Sequence, residues 1–397
     1  MRNVLFLIGA FFSGVAFAAP DEAVLGKAEG YPVCSTAGKQ SCLVGQLSHY
    51  DEIYPARKVA KGAAVRELKR APKEADGVNV NAFLDSNRNT GFLLMKGDTI
   101  LAERYQYDRK PADRFQSYSM AKTVVAMLIG IAVFDKQISS IDDRAEKYVP
   151  ALKGQPYGET SLRHLLTMSS GVRFREDYDG KDDISVLGRK AIGQQGPGGA
   201  DTVSTFTDRT RGAGEKFYYA SAETQVLGLV LRAAVDKPLA DYLSEKIWQP
   251  MGAEADATWQ IDRGGYETGF MGINATLRDW GRLGLLLAND GALCANDGKL
   301  DCRQIIPADW VKAATTPDSA HLRPGIATGY MGYGYQTWLL PGGGRRFALL
   351  GVRGQAVFVD PASKLVVVHT AVHEGSRDPA RGNQFSLWSA VLRVYSD

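Results

Sequence analysis

Apolar and polar positions divide this chain into stretches of distinct character. The opening MRNVLFLIGAFFSGVAFAAP has a single Arg2, an apolar run from Val4 to Phe17, and the small-x-small triplet Ala16-Phe17-Ala18. That is the layout of a secretory signal covering residues 1–18, because the run is shorter than the roughly 20 apolar residues a spanning helix needs. Residues 19–84 are polar and irregular, with basic runs at Arg57-Lys58 and Arg66 to Lys73, and read as a wrapping N-terminal arm. Next, TGFLLMKGDTILAERYQYD sets two apolar-rich segments on either side of Lys96-Gly97-Asp98, the turn chemistry of a β-hairpin.

From Ser119 to about Lys136 apolar residues fall on nearly every helical face (Val124, Val125, Met127, Leu128, Ile129, Ile131, Val133, Phe134), the mark of a buried helix. Residues 138–320 carry further helical patterns at Ser161–Met168, Glu223–Val235, Leu239–Trp248 and Leu277–Asn289 and read as a mainly helical lobe. Strand-like segments follow at Gly334–Leu340, Arg346–Leu350, Gln355–Val359 and Leu365–Thr370, separated by the turn signals PGGG and DPAS, and a helix from Gln384 to Tyr395 closes the chain. The expected class is α+β. One domain, 85–397, would join segments 85–118 and 330–397 in an antiparallel sheet flanked by helices, with the 138–320 lobe beside it.

Composition narrows the function. With 397 residues and 45% hydrophobic side chains the chain can bury a large core, and a net charge of +3 gives no field that points to nucleic acid. Export would let the four cysteines pair locally, Cys34 with Cys42 and Cys294 with Cys302. No CxxC pair supplies the usual zinc spacing. Of the five histidines only His369 and His373 are close, and four residues along an extended strand would separate them by about 13 Å, too far to share a metal. His164, in an apolar helical stretch, reads as a buried hydrogen-bonding residue.

Three segments could do chemistry. Ser119-Met-Ala-Lys122 is the one Ser-x-x-Lys in the chain, and on a helix positions i and i+3 share a face. A lysine in apolar surroundings loses proton affinity and can serve as a base near neutral pH. Chance supplies about one such tetrad in a chain this long, so its weight comes from opening a buried helix straight after a hairpin. The second segment, Gly214 to Ser221 (GEKFYYAS), precedes a helix and offers Tyr219 as a proton carrier and Ser221 as a donor, although taken alone it reads as a core tyrosine. In the third, Gly351-Val352-Arg353-Gly354-Gln355, an edge strand could aim the Gln355 N–H, with that of Ser119, at an oxyanion. Those glycines could equally mark a bulge.

In this order and spacing, Ser119-x-x-Lys122, the Tyr219 loop and the Gly354 strand resemble the serine β-lactamase and penicillin-binding superfamily. SLRHLLTMSSG (161–171), LSEKIWQPMG (243–252) and GINATLRD (272–279) are similar to the branch containing 6-aminohexanoate-dimer hydrolase and its related carboxylesterases. The resemblance spans roughly 85–395. It implies a β-lactamase/transpeptidase-like fold, no cofactor, and an acyl-enzyme on Ser119. Lys122 would be the activating base and Tyr219 the acid/base for the leaving group, with Ser221, Gln355, Gly354, His373, Tyr178 and Asn274 lining the substrate site.

The chain departs from the usual superfamily pattern in two places. Ser221 stands where Asn is usual two residues after the tyrosine, and Val352-Arg353-Gly354 replaces the usual Lys-Thr-Gly. Without the strand lysine the grip on a β-lactam carboxylate is lost, and Arg353 on a strand would point opposite to its neighbours. Gly-x-Ser-x-Gly, the signature of a Ser-His-Asp hydrolase, is absent. The expectation is therefore a periplasmic or secreted serine hydrolase acting on a small ester or linear amide, without a membrane anchor after cleavage and without a nucleic-acid partner. The alternatives are a β-lactamase or D-alanyl-D-alanine peptidase, and a non-enzymatic relative that binds cell-wall peptide.

Overall fold

The computed structural model describes residues 19–30, 43–74, 77–294, 302–374, 378 and 382–396. The expected signal segment and the Cys34–Cys42 pair lie outside the described residues. The strands are β1 (Ala56–Val59), β2 (Lys69–Arg70), β3 (Asn89–Lys96), β4 (Thr99–Tyr105), β5 (Arg114–Gln116), β6 (Ala257–Gln260), β7 (Ile273–Thr276), β8 (Ala292–Cys294), β9 (Cys302–Gln304), β10 (Gly332–Tyr333), β11 (Trp338–Leu339), β12 (Phe347–Gly351), β13 (Gln355–Asp360) and β14 (Leu365–Ala371). The helices that position the site are α1 (Val80–Ser86), α2 (Ala121–Phe134), α3 (Leu162–Leu166), α4 (Ser221–Val235), α5 (Leu277–Ala288) and α6 (Asn383–Tyr395).

The expected hairpin and the late strands do share one sheet, in the order β10-β11-β12-β13-β14-β3-β4-β2. It is antiparallel except where β2 joins β4, and β14 pairs with β3 from Leu365↔Lys96 to Ala371↔Asn89. Alternate residues of β3 enter two different cores. Leu93 and Met95 meet α5, while Phe92 and Leu94 join Phe358, Leu387 and Trp388 under α1 and α6. With helices on both faces the central strands must be apolar throughout, which explains the unbroken FLLM and LVVV runs. Gly281 and Gly284 bring α5 close, since a Cβ at either would press on Leu93 and Met95 or on Val366 and Val357.

The structure departs from expectation in the middle of the chain. The 138–320 lobe is helical in the main but supplies β6 and β7 to a second sheet ordered β1-β6-β7-β5. Both strands are four residues long, and almost wholly buried, so no alternation marks them. The 19–84 segment is likewise more than a wrapping arm, because β1 pairs antiparallel with β6 and β2 extends the large sheet. Cys294 and Cys302 are disulfide-bonded across the β8–β9 hairpin, as expected.

One buried carboxylate holds the arm in place. Glu267, whose side chain is inaccessible to solvent, pairs with Arg57 of β1 and, at 2.9 Å, with Arg232 of α4. Glu267→Gln removes the charge that both guanidiniums face. We expect it to lower the unfolding free energy by on the order of 2–4 kcal/mol, read as a lower denaturant midpoint with unchanged slope. An unchanged midpoint would show that the arm is held without this pair.

Candidate active site

Ser119 sits where three elements converge. It lies in the 3₁₀ turn Tyr118–Met120, which runs directly into α2. The turn is pinned from below: Ser117 N–H donates to Ile273 O (2.8 Å), Ile273 N–H donates to Ser117 Oγ (3.1 Å), and Gln116 Oε1 accepts from Tyr118 N–H (2.6 Å). Tyr118 adopts φ +43°, costly for a side chain of this size and sustained only because its neighbours are fixed.

Lys122 is one helical turn on and only 1% exposed. Its Nζ donates to Ser119 Oγ at 2.9 Å and to Phe270 O at 3.0 Å, and it lies 5.0 Å from the centre of the Tyr219 ring. Burial lowers its pKa to about 8, against a smaller opposing pull from Glu176. Neutral lysine is thereby available near physiological pH, hydrogen-bonded to a hydroxyl. The Tyr219 ring stacks on Trp338 (5.4 Å between centres, 20° between planes) and meets Tyr333 edge-on at 6.2 Å. These contacts set where the phenol of an otherwise mobile loop residue lies.

Ser119 opens onto a cavity of about 290 Å³. Tyr178 and Ser221 wall it from the helical side, Val352, Arg353 and Glu374 from the sheet side, and Phe270 closes it beside Lys122. A larger groove of about 750 Å³ at the far end of α2, beside Phe134 and Lys246, contains none of the chemistry-bearing residues.

Ser119, Lys122, Tyr219, Ser221 and Tyr178 are thus brought together; Gln355, Gly354, His373 and Asn274 are not among the residues walling the cavity. β12 ends at Gly351, and residues 352–354 form a tight turn, so Gln355 already starts β13, with its side-chain Nε2 donating to Ala371 O at 2.7 Å. Gly351 packs against the segment before the nucleophile, where a Cβ would collide with Ser117 O. Gly354 backs onto the His373 imidazole. Asn274, within β7, donates to Thr258 Oγ1 (3.1 Å). Arg353 is not on a strand either: at φ +64° it occupies the turn, and its guanidinium donates to His373 O (2.9 Å) and Glu374 O (3.0 Å). His369 and His373 approach to 6.3 Å between ring centres, about half the extended-strand distance, because β14 has a bulge at Thr370/Ala371 and ends there. No group of three or more His, Cys, Asp or Glu able to hold a metal occurs among the described residues. His164 is half-buried rather than buried, packed against Gly214 of the Tyr219 loop.

Glu176 was not legible as a site residue. Its carboxylate accepts from Ser221 N–H (2.9 Å), Ser221 Oγ (2.9 Å) and Tyr178 Oη (2.6 Å). It lies in a charged stretch, RFREDYDGKDD, that reads as a solvated loop.

Comparison with known proteins agrees with this geometry. The beta-lactamase family profile matches residues 90–387. The chain is 27% identical over 317 residues to the 6-aminohexanoate-dimer hydrolase of Paenarthrobacter ureafaciens, covering 78% of each. It shares its fold with the solved structure "Putative 6-aminohexanoate-dimer hydrolase from Bacillus anthracis" (TM-score 0.77, 22% identity, 89% of this chain and 93% of that one). It shares it also with EstCE1, a hydrolase with promiscuous acyltransferase activity (TM-score 0.61, 15% identity, 78% and 96%).

The lowered pKa has a consequence for stability. Between pH 8 and the ordinary lysine value of 10.5, the unfolded chain retains a proton that folded Lys122 has released, so folding stability rises with pH across that window. Lys122→Met carries no such proton. Wild type should therefore gain on the variant by on the order of 3 kcal/mol from pH 8 to 10.5, measured by denaturant unfolding. Parallel pH dependences would rule out a depressed Lys122.

Proposed function

Because this chain belongs to the beta-lactamase family, which is of serine-hydrolase type, we propose that it cleaves a small ester or linear amide through an acyl-enzyme on Ser119. The observation that carries this reading is the 2.9 Å contact between Ser119 Oγ and the buried Nζ of Lys122. Neutral Lys122 takes the hydroxyl proton as Oγ attacks the carbonyl carbon. The oxyanion forms before the N–H groups of Ser119 and Val352, the latter replacing the Gln355 donor expected from sequence. Tyr219 protonates the leaving alcohol or amine; the phenolate so formed takes a proton from water as it attacks the acyl carbon, and the Lys122 ammonium returns its proton to Oγ as the acid leaves.

The preference for esters and linear amides over β-lactams rests on the sheet side of the cavity. Where a cation would grip a lactam carboxylate, Arg353 is tied to two backbone carbonyls and Glu374 adds an opposing charge. The relatives named 6-aminohexanoate-dimer hydrolase and EstCE1, a hydrolase with promiscuous acyltransferase activity, support a hydrolase. We also infer export, supported by the apolar leader with its Ala-x-Ala triplet and by the Cys294–Cys302 disulfide. No helix of the described residues is long and apolar enough to cross a membrane.

Exposure to p-nitrophenyl butyrate should add one butyryl group to the wild-type protein and none to Ser119→Ala, read by intact-mass spectrometry. A wild type that neither gains mass nor turns over would overturn the reading. Tyr219→Phe should lose turnover on the order of 10²-fold or more with little change in binding. Nitrocefin hydrolysis faster than ester hydrolysis would favour the β-lactamase alternative.

A further inference from the structure

We infer that Glu176 is a positioning residue of this site: one carboxylate joins the 172–182 loop to the first turn of α4 and holds Tyr178 and Ser221, both facing the cavity, in fixed relation. The inference rests on the reading of Ser119 and Lys122 as the reacting pair.

Geometry comes first. Glu176 Oε2 accepts the N–H of Ser221, one of the unpaired amides that begin α4, and Oε1 accepts the Ser221 hydroxyl. The same Oε1 accepts Tyr178 Oη, and both Tyr178 and Ser221 face the cavity. Tyr178 has φ +60° and is 41% exposed, a posture that the loop holds against its own preference. Its N–H donates to Asp182, the N-cap of the next helix, so the loop is tied at both ends. A single charged acceptor thus sets the spacing between the two cavity walls contributed by the helical side.

The charged groups around it leave Glu176 as the one that acts on Lys122. Arg175 is committed to Asp177 and Asp179 on the outer surface. Glu223, two residues beyond Ser221, is fully buried against Ser170 Oγ, and burial pushes it up to about 8, so it is protonated and uncharged at neutral pH. Tyr219 and Tyr333 contribute neutral rings, and Arg353 and Glu374 lie on the far wall. Glu176 therefore favours the ammonium form of Lys122, against the effect of burial. Removing its charge should let Lys122 lose its proton at lower pH.

The test is the pH profile of kcat/KM for p-nitrophenyl butyrate in wild type, Glu176→Gln and Glu176→Asp. For Glu176→Gln the acidic limb should move to lower pH by on the order of half a unit, and KM should rise about tenfold as Ser221 and Tyr178 lose their common acceptor. Glu176→Asp keeps the charge and should return the limb to the wild-type position. A Glu176→Gln profile superimposed on wild type would overturn the inference, as would an equal shift in both variants. A readout that needs no turnover separates this from the function itself. The pH at which stability begins to rise, taken relative to Lys122→Met in the same background, should be lower in Glu176→Gln. An unmoved onset would overturn the inference even in a protein that hydrolyses no ester, while a wild type inert to the ester would count against Ser119 alone.

Discussion

The structure is organised around an ammonium group that has been taken out of water. Lys122 lies on a helix that is buried for almost its whole length, and among the described residues its hydrogen bonds go only to a hydroxyl and a carbonyl. Its compensation consists of one hydroxyl, one carbonyl and the face of Tyr219. Each of these is supplied by a different part of the chain, so the cost of burying Lys122 is met only when the whole fold has formed. That cost lowers the proton affinity of the lysine, as the proposed role of base requires.

What sequence revealed and what it hid divide along physical lines. Ser119, Lys122 and the buried helix were legible because they are local: a three-residue spacing and a run of apolar residues on every face. The central sheet was legible for the same reason, since unbroken runs such as LVVV at 365–368 need no partner to be recognised. Glu176 was hidden because its significance comes from Ser221, 45 residues away, and nothing in RFREDYDGKDD distinguishes it from a solvated loop. The small sheet was hidden because β5, β6 and β7 are too short for any pattern to repeat. The tight turn at 352–354 was hidden because the segment reads as one continuous strand.

Tyr219 shows how aromatic packing stands in for regular structure. Its loop has neither helix nor strand to hold it, yet Phe217, Tyr333 and Trp338 enclose the ring through contacts of 4.9 to 6.2 Å among the four. Trp338 and Tyr333 belong to the edge of the large sheet, so the phenol is referenced to the sheet, whereas the lysine is referenced to α2. The relative placement of Lys122 and Tyr219 thus reflects how the sheet packs on the helices.

The large sheet ends at both sides in strands of only two residues, β10 and β2. Central strands with near-continuous apolar sequence would, with long free edges, template the addition of further chains. Shortening the outermost strands leaves a foreign segment almost no backbone groups to pair with. For a protein whose central strands are this hydrophobic, such blunt edges protect against aggregation at high local concentration, and they do so through backbone geometry, with no demand on surface charge.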